Sequence, residues 1–162
     1  MGAFLKTADL VDRHDAHLRL CHLPFRWFGA RAGFHGIVRT VRTFEDNTLV
    51  RKCLEEDGRG KVLVVDGAGS TRTALVGDQL AALGRDHGWA GIVVNGAIRD
   101  AAEIGAMEFA VLALGTSPKK SQKAGYGAVD VSVAFGGISI SPGEALYADA
   151  DGVLVAASPL AL

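Results

Sequence analysis

Two short segments of the 162-residue sequence carry side chains that could do chemistry together: Gly77-Asp78-Gln79-Leu80 and Arg99-Asp100. Twenty residues lie between Asp78 and Arg99. In an α/β fold that interval carries a chain from one strand end to the next, and adjacent strand ends converge on one crevice. If Gln79 and Leu80 lie in a first helical turn, their N–H groups have no intrahelical partner and can hold an anion. Gly77 lets a ligand approach the backbone closely. Arg99 can grip a carboxylate through two parallel hydrogen bonds. Asp100 and Asp78 offer hard oxygen ligands suited to Mg²⁺ or Mn²⁺, which keep several waters. Such parts suit a 2-oxo acid, with its carboxylate on Arg99 and the amides and its keto oxygen beside a cation that stabilises an enolate. A plainer reading is equally available: Asp78 caps one helix and Arg99-Asp100 begins another. Periodicity does not choose between the two.

The elements that must position these residues are clearest in the middle of the chain. Residues 61–65 and 91–95 are short continuous apolar runs, as in strands buried on both faces. A helix is expected from Thr73 or Gly77 to Asp86, with Leu75, Val76, Leu80 and Leu83 as its apolar stripe. A short helix follows over residues 99–105 and a third strand over 109–114. This β-α-β-α-β order implies parallel pairing and right-handed crossovers. Upstream, residues 7–18 read as a helix capped at Thr7, residues 23–28 as an extended stretch, and residues 37–44 as a strand with one wet face. A helix capped by Asp46 or Asn47 should run to about Glu56, with Leu49, Val50, Cys53 and Leu54 inward. Downstream, residues 129–133, 137–140 and 152–156 are short β-rich runs between turn clusters. The fold class expected is a mixed α/β layer fold in one domain, 1–162, with a C-terminal β-rich part.

Composition narrows the function. Lys plus Arg number 17 and Asp plus Glu 18, for a formal charge of -1. A net basic field for grasping nucleic acid is absent. Hydrophobic residues make up 49% and charged residues 22%, which is the balance of a folded globular chain, not a disordered one. Cys21 and Cys53 form no C-x-x-C pair, so a reducing compartment is the simpler expectation. No apolar run approaches a membrane span. Met1-Gly2 suits a myristoylation start, but Lys6 stands where Ser or Thr is needed. The expected setting is cytoplasmic, without membrane contact.

Larger stretches carry a resemblance. Val64-Val-Asp-Gly-Ala-Gly-Ser70, Ala74-Leu-Val-Gly-Asp78, Gly88-Trp-Ala-Gly-Ile-Val-Val-Asn-Gly96 and Ile98-Arg-Asp100 resemble the family of regulator of ribonuclease E activity A, which includes the 4-hydroxy-4-methyl-2-oxoglutarate aldolases. Ala113-Leu-Gly-Thr116, Lys123-Ala-Gly125, Gly136-Gly137, Ser141-Pro-Gly143 and Asp149-Ala-Asp-Gly-Val153 are similar to it too. The resemblance implies a swivelling β/β/α domain, with a central sheet containing parallel strands, assembled as a homotrimer. It implies that residues Gly77 to Leu80 bind pyruvate through main-chain amides and that Arg99 binds and polarises it. Asp100 would ligate a divalent metal, Mg²⁺ or Mn²⁺, with Asp78 touching the metal through water. The implied activity is metal-dependent cleavage of 4-hydroxy-4-methyl-2-oxoglutarate to pyruvate, with oxaloacetate decarboxylation beside it. The alternative is a trimeric regulator that inhibits a ribonuclease E-type endonuclease by protein contact. The family's aldolases extend further at the C-terminus, where an acidic residue reaches the neighbouring subunit's site. This sequence ends at Leu162, nearer the short regulator-like members.

Rival signals are weaker. Asp66-Gly-Ala-Gly-Ser70 follows an apolar strand, as nucleotide and S-adenosylmethionine loops do, but the full G-x-G-x-x-G is missing. Gly67 and Gly69 read as turn formers. Lys119, Lys120 and Lys123 read as a solvated loop, with subunit contact or anion steering as alternatives to a Schiff base. His14, His17 and His22 read as a solvated helix face rather than a metal site. Asp149-Ala-Asp-Gly152 reads as a hairpin turn.

Overall fold

A computed structural model describes residues 5–161. Met1-Gly2 and Leu162 lie outside the described residues. Helix α1 (Thr7–His14) and a 3₁₀ turn (Asp15–His17) lead into β1 (Leu18–Cys21), β2 (Arg26–Phe28) and β3 (Gly33–Arg42). Then come α2 (Thr48–Leu54), β4 (Lys61–Asp66), β5 (Ala74–Val76), α3 (Asp78–Asp86), β6 (Gly91–Ile98), α4 (Ala101–Gly105) and β7 (Val111–Thr116). The last third adds β8 (Ala128–Val129), β9 (Val133–Phe135), β10 (Ile138–Ile140), β11 (Ala145–Asp149) and β12 (Gly152–Ala156).

One ten-stranded sheet follows the order β1-β12-β11-β3-β4-β6-β7-β2, with β5 beside β6 and β8 beside β3. Its centre, β3, β4, β6 and β7, is parallel, and β5 joins β6 in parallel at Ala74↔Ala97 and Val76↔Ile98. The flanks through β11, β12, β1 and β2 are antiparallel. A second sheet pairs β9 with β10.

Side-chain alternation along the central strands divides the core in two. Leu63, Val65, Ile92 and Val94 pack with Val50, Cys53 and Leu54 of α2, Leu80 and Ala81 of α3 and Ile104 of α4. Val62, Val64 and Val93 point the other way, towards Val133 of β9 and Ile140 of β10. The layers are thus helices, large sheet and small sheet, which is the β/β/α arrangement expected. Burial on both faces explains why β4 and β6 read as unbroken apolar runs; each such Val, Leu or Ile contributes about 2 kcal/mol. Helix α1 caps one flank by seating Leu10 on Ala145, Tyr147, Leu154 and Ala156.

Several boundaries differ from expectation. Ala74–Val76 is a strand, so Leu75 and Val76 are not part of a helical stripe; the helix starts at Asp78, one residue after Gly77, the later of the two expected starts, which is its N-cap. Three apolar residues before a helix cannot be separated from it by periodicity alone. Helix α1 stops at His14, and Leu18 opens β1 instead. Thr7 is the first helical residue rather than the cap, and its backbone N–H and hydroxyl both donate to the Asp149 carboxylate. β3 has no clean wet face, because Val38 and Val41 enter opposite cores. β11 was not expected as a strand at all. The turn at residues 149–152 is a hairpin, as expected, with Asp149 opposite Gly152.

Candidate functional site

The C-terminal ends of β5 and β6 build the site. Asp78 opens α3 directly after β5, and Arg99-Asp100 follows β6. The Arg99 N–H donates to the Val76 carbonyl at 3.0 Å, which extends the β5–β6 ladder by one rung and fixes where the arginine leaves the sheet. At Asp100 the backbone turns left-handed, φ 57°, and enters α4. Aspartate tolerates that conformation better than most residues. The Asp100 side chain does not cap its own helix; Asp100 Oδ2 accepts the Asp78 N–H at 3.0 Å and caps the neighbouring one. The first bond within α3 is from Ala81 N–H to the Gly77 carbonyl at 3.0 Å. The amides of Gln79 and Leu80 precede it and are left over by helix geometry.

Gly77, Asp78, Gln79, Leu80, Arg99 and Asp100 all line one pocket of about 130 Å³. Every site residue expected from the sequence is therefore brought together. A Cβ at Gly77 would stand 2.9 Å from Asp100 Oδ2 and 3.5 Å from Arg99 Nε, so only glycine fits without displacing the site.

The same pocket is lined by residues that the sequence did not single out for it: Asn47, Arg51, Ala74, Lys120 and Lys123. Lys120 and Lys123 are exposed, as a solvated loop requires, yet both face the cavity. The signal that finds them is long-range. The Ala74 N–H donates to the Lys119 carbonyl at 2.8 Å, and Lys123 Nζ donates to Asn47 Oδ1 at 3.2 Å. Asp46, 1% exposed, holds the loop: it accepts Thr48 N–H at 3.0 Å, Ala124 N–H at 2.7 Å and Gly125 N–H at 3.0 Å.

Among the described residues, no three or more His, Cys, Asp or Glu side chains gather into a metal cage. His14, His17 and His22 form none, and the first two end α1 and the 3₁₀ turn. Asp78 and Asp100 supply two carboxylates to a cavity that Arg51, Arg99, Lys120 and Lys123 also line. That donor set fits a hard divalent cation that keeps most of its waters.

The glycine loop at residues 66–70 folds back on its own strand ends. Gly67 and Gly69 donate their N–H groups to the Asn95 carbonyl, Ala68 to Asp66 Oδ1 and Ser70 to the Gly67 carbonyl. Its amides are spent on the turn, so no phosphate cradle is formed. No helix among the described residues is long and apolar enough to cross a membrane.

Known proteins match closely. Residues 7–155 match the model of the RraA-like family, described as Aldolase/RraA. A protein of Aromatoleum aromaticum named "Putative 4-hydroxy-4-methyl-2-oxoglutarate aldolase" is 53% identical, with 96% of this chain and 98% of that protein covered. A solved structure described as the S-adenosylmethionine: 2-dimethylmenaquinone methyltransferase of Geobacillus kaustophilus has a TM-score of 0.95 at 52% identity, covering 96% and 97% of the two chains. The RNA-processing inhibitor RraA of Thermus thermophilis superposes with a TM-score of 0.93 at 48% identity, covering 99% and 96%. With residues 7–155 matched by the family model and relatives near half identity covering nearly its whole length, the chain belongs to the RraA-like family.

Proposed function

We propose that the pocket binds a 2-oxo acid and that the chain is a divalent-metal-dependent lyase of the 4-hydroxy-4-methyl-2-oxoglutarate aldolase type, with oxaloacetate decarboxylation as a side activity. The observation that carries this reading is the convergence of Arg99, Asp100 and the leftover amides of α3 on one small cavity. The name borne by the Aromatoleum relative supports the same chemistry.

Arg99 holds the substrate carboxylate and reaches the keto oxygen with its second donor face. The Gln79 and Leu80 amides share the negative charge at the start of α3. Asp100 and, through water, Asp78 would hold Mg²⁺ or Mn²⁺, which supplies positive charge against the keto oxygen and so favours the enolate. Bond cleavage leaves electrons on the three-carbon fragment, and the cationic pocket is complementary to that charge. No histidine lines the cavity, so Asp78 is assigned to orient the water that carries protons. The reading is tested with purified protein and Mg²⁺ or Mn²⁺. Pyruvate should be released from oxaloacetate and from 4-hydroxy-4-methyl-2-oxoglutarate, and Arg99→Ala and Asp100→Ala should each abolish it. No release from either substrate overturns the proposal.

The likeness to the Thermus inhibitor favours a second reading, a homotrimeric regulator that docks on a ribonuclease E-type endonuclease. The net charge of -1 favours protein contact over RNA contact. Co-precipitation with the endonuclease and inhibition of RNA decay test it. Full inhibition by Arg99→Ala would separate docking from the pocket.

A further inference from the structure

The pocket carries more positive charge than negative before any ligand enters. Arg51, Arg99, Lys120 and Lys123 line it against the carboxylates of Asp78 and Asp100. The ion pairs formed among the described residues engage Arg19, Arg39, Arg59, Arg72 and Arg85, and none of these four cations. Asp46 lies buried just behind the lining, where its carboxylate accepts the N–H groups of Thr48, Ala124 and Gly125. Counting its charge as well still leaves four cations against three carboxylates.

The two lining carboxylates are also a thin anchor for a metal. Asp100 Oδ2 already accepts the Asp78 N–H at 3.0 Å, so one of their four oxygens is shared with the backbone. No third His, Cys, Asp or Glu completes a cage with them among the described residues. A small hard cation in such a place draws its remaining ligands from water and from the oxygens of a bound substrate. The surrounding side chains oppose it meanwhile. A cavity of about 130 Å³ is narrower than the Debye length, about 8 Å at physiological salt, so counter-ions do not erase the repulsion. An anion meets the opposite balance. Arg99 and the leftover amides of α3 can receive a carboxylate unaided, and a 2-oxo acid brings with it both negative charge and a keto oxygen.

We propose that the pocket fills in a fixed order, the 2-oxo acid before the divalent cation, because the positive charges of Arg51, Lys120 and Lys123 keep cation affinity low until the acid is in place. The proposal rests on the reading of the pocket as a 2-oxo acid and metal site. It adds that substrate gates the assembly of the centre. Linkage makes the effect reciprocal, so the cation tightens the acid by the same factor.

The experiment reads Mn²⁺ binding from the loss of the free ion's electron paramagnetic resonance signal, and pyruvate binding from titration calorimetry in EDTA and in Mn²⁺. Saturating pyruvate should tighten Mn²⁺ about tenfold or more, and pyruvate should still bind in EDTA. K120M/K123M removes two of the charges and should tighten Mn²⁺ about threefold in the absence of pyruvate, whereas K120R/K123R should match the wild type. The order is overturned if Mn²⁺ binds the free wild-type protein as tightly as it binds the pyruvate complex, or if pyruvate binds only when Mn²⁺ is present. It is overturned too by an unchanged Mn²⁺ affinity in K120M/K123M, or by equal tightening in K120R/K123R. In each of these cases pyruvate binding leaves the 2-oxo acid reading standing. If pyruvate binds in neither EDTA nor Mn²⁺, the pocket reading itself fails, and the order with it.

Discussion

Asp100 accepts the backbone N–H of Asp78 at 3.0 Å, so the residue that opens α4 also holds the residue that opens α3. The bond closes over Gly77, where any Cβ would press on Asp100 Oδ2 at 2.9 Å. Gly77→Ala is expected to weaken pyruvate binding at least tenfold while costing the fold only about 1 kcal/mol. Calorimetric titration beside a thermal unfolding curve separates the two effects. Unaltered pyruvate affinity would show that the carboxylate does not need its present position.

Arg99 is predicted to act by shape as well as charge. Arg99→Lys keeps the charge but loses the planar fork, and kcat/KM for pyruvate release should fall about a hundredfold. Arg99→Ala should fall further. Equal activity in the lysine variant would reduce the role of Arg99 to that of a point charge.

Asp46 links stability to pH. Burial opposes its ionised form, but the N–H groups of Thr48, Ala124 and Gly125 outweigh burial and hold its carboxyl below the ordinary range. The contribution is complete above the unfolded value of about 3.9 and is lost as pH falls through the lower folded value. Asp46→Asn should cost about 1–2 kcal/mol near pH 7 and flatten the decline in stability below about pH 4. Urea unfolding across that range reads both quantities, and an acid decline as steep as the wild-type one would remove Asp46 from the account.

S-adenosylmethionine is predicted not to bind, despite the name of the Geobacillus structure. The loop that would receive it donates its amides to Asn95, Asp66 and Gly67. Saturable heat on titration of S-adenosylmethionine would contradict this.

Half of the site was legible in the sequence because it is nearly local. Gly77 to Leu80 and Arg99-Asp100 bracket one α-β passage, and their residue types agree with their spacing. The other half comes from Asn47, Arg51, Lys120 and Lys123, which distant loops bring in through Asp46 and Ala74. Nothing in a Ser-Pro-Lys-Lys run distinguishes a loop folded over a cavity from one in open solvent. The central strands were legible because burial on both faces writes unbroken apolar runs. β5 was absorbed into the following helix because Leu75 and Val76 continue its stripe, and the identity of a three-residue strand depends on its pairing with Ala97 and Ile98.

The strand order has a consequence for association. β1 and β2 stand at opposite ends of the sheet, yet only residues 22–25 join them. Laid flat, seven strand spacings of about 4.8 Å would part them by about 34 Å, whereas that connection reaches at most about 18 Å. The sheet must therefore curl enough to bring its first and last strands within that reach. A curled and twisted edge is a poorer template for an incoming strand than a flat one, so the short link itself works against fibrous aggregation.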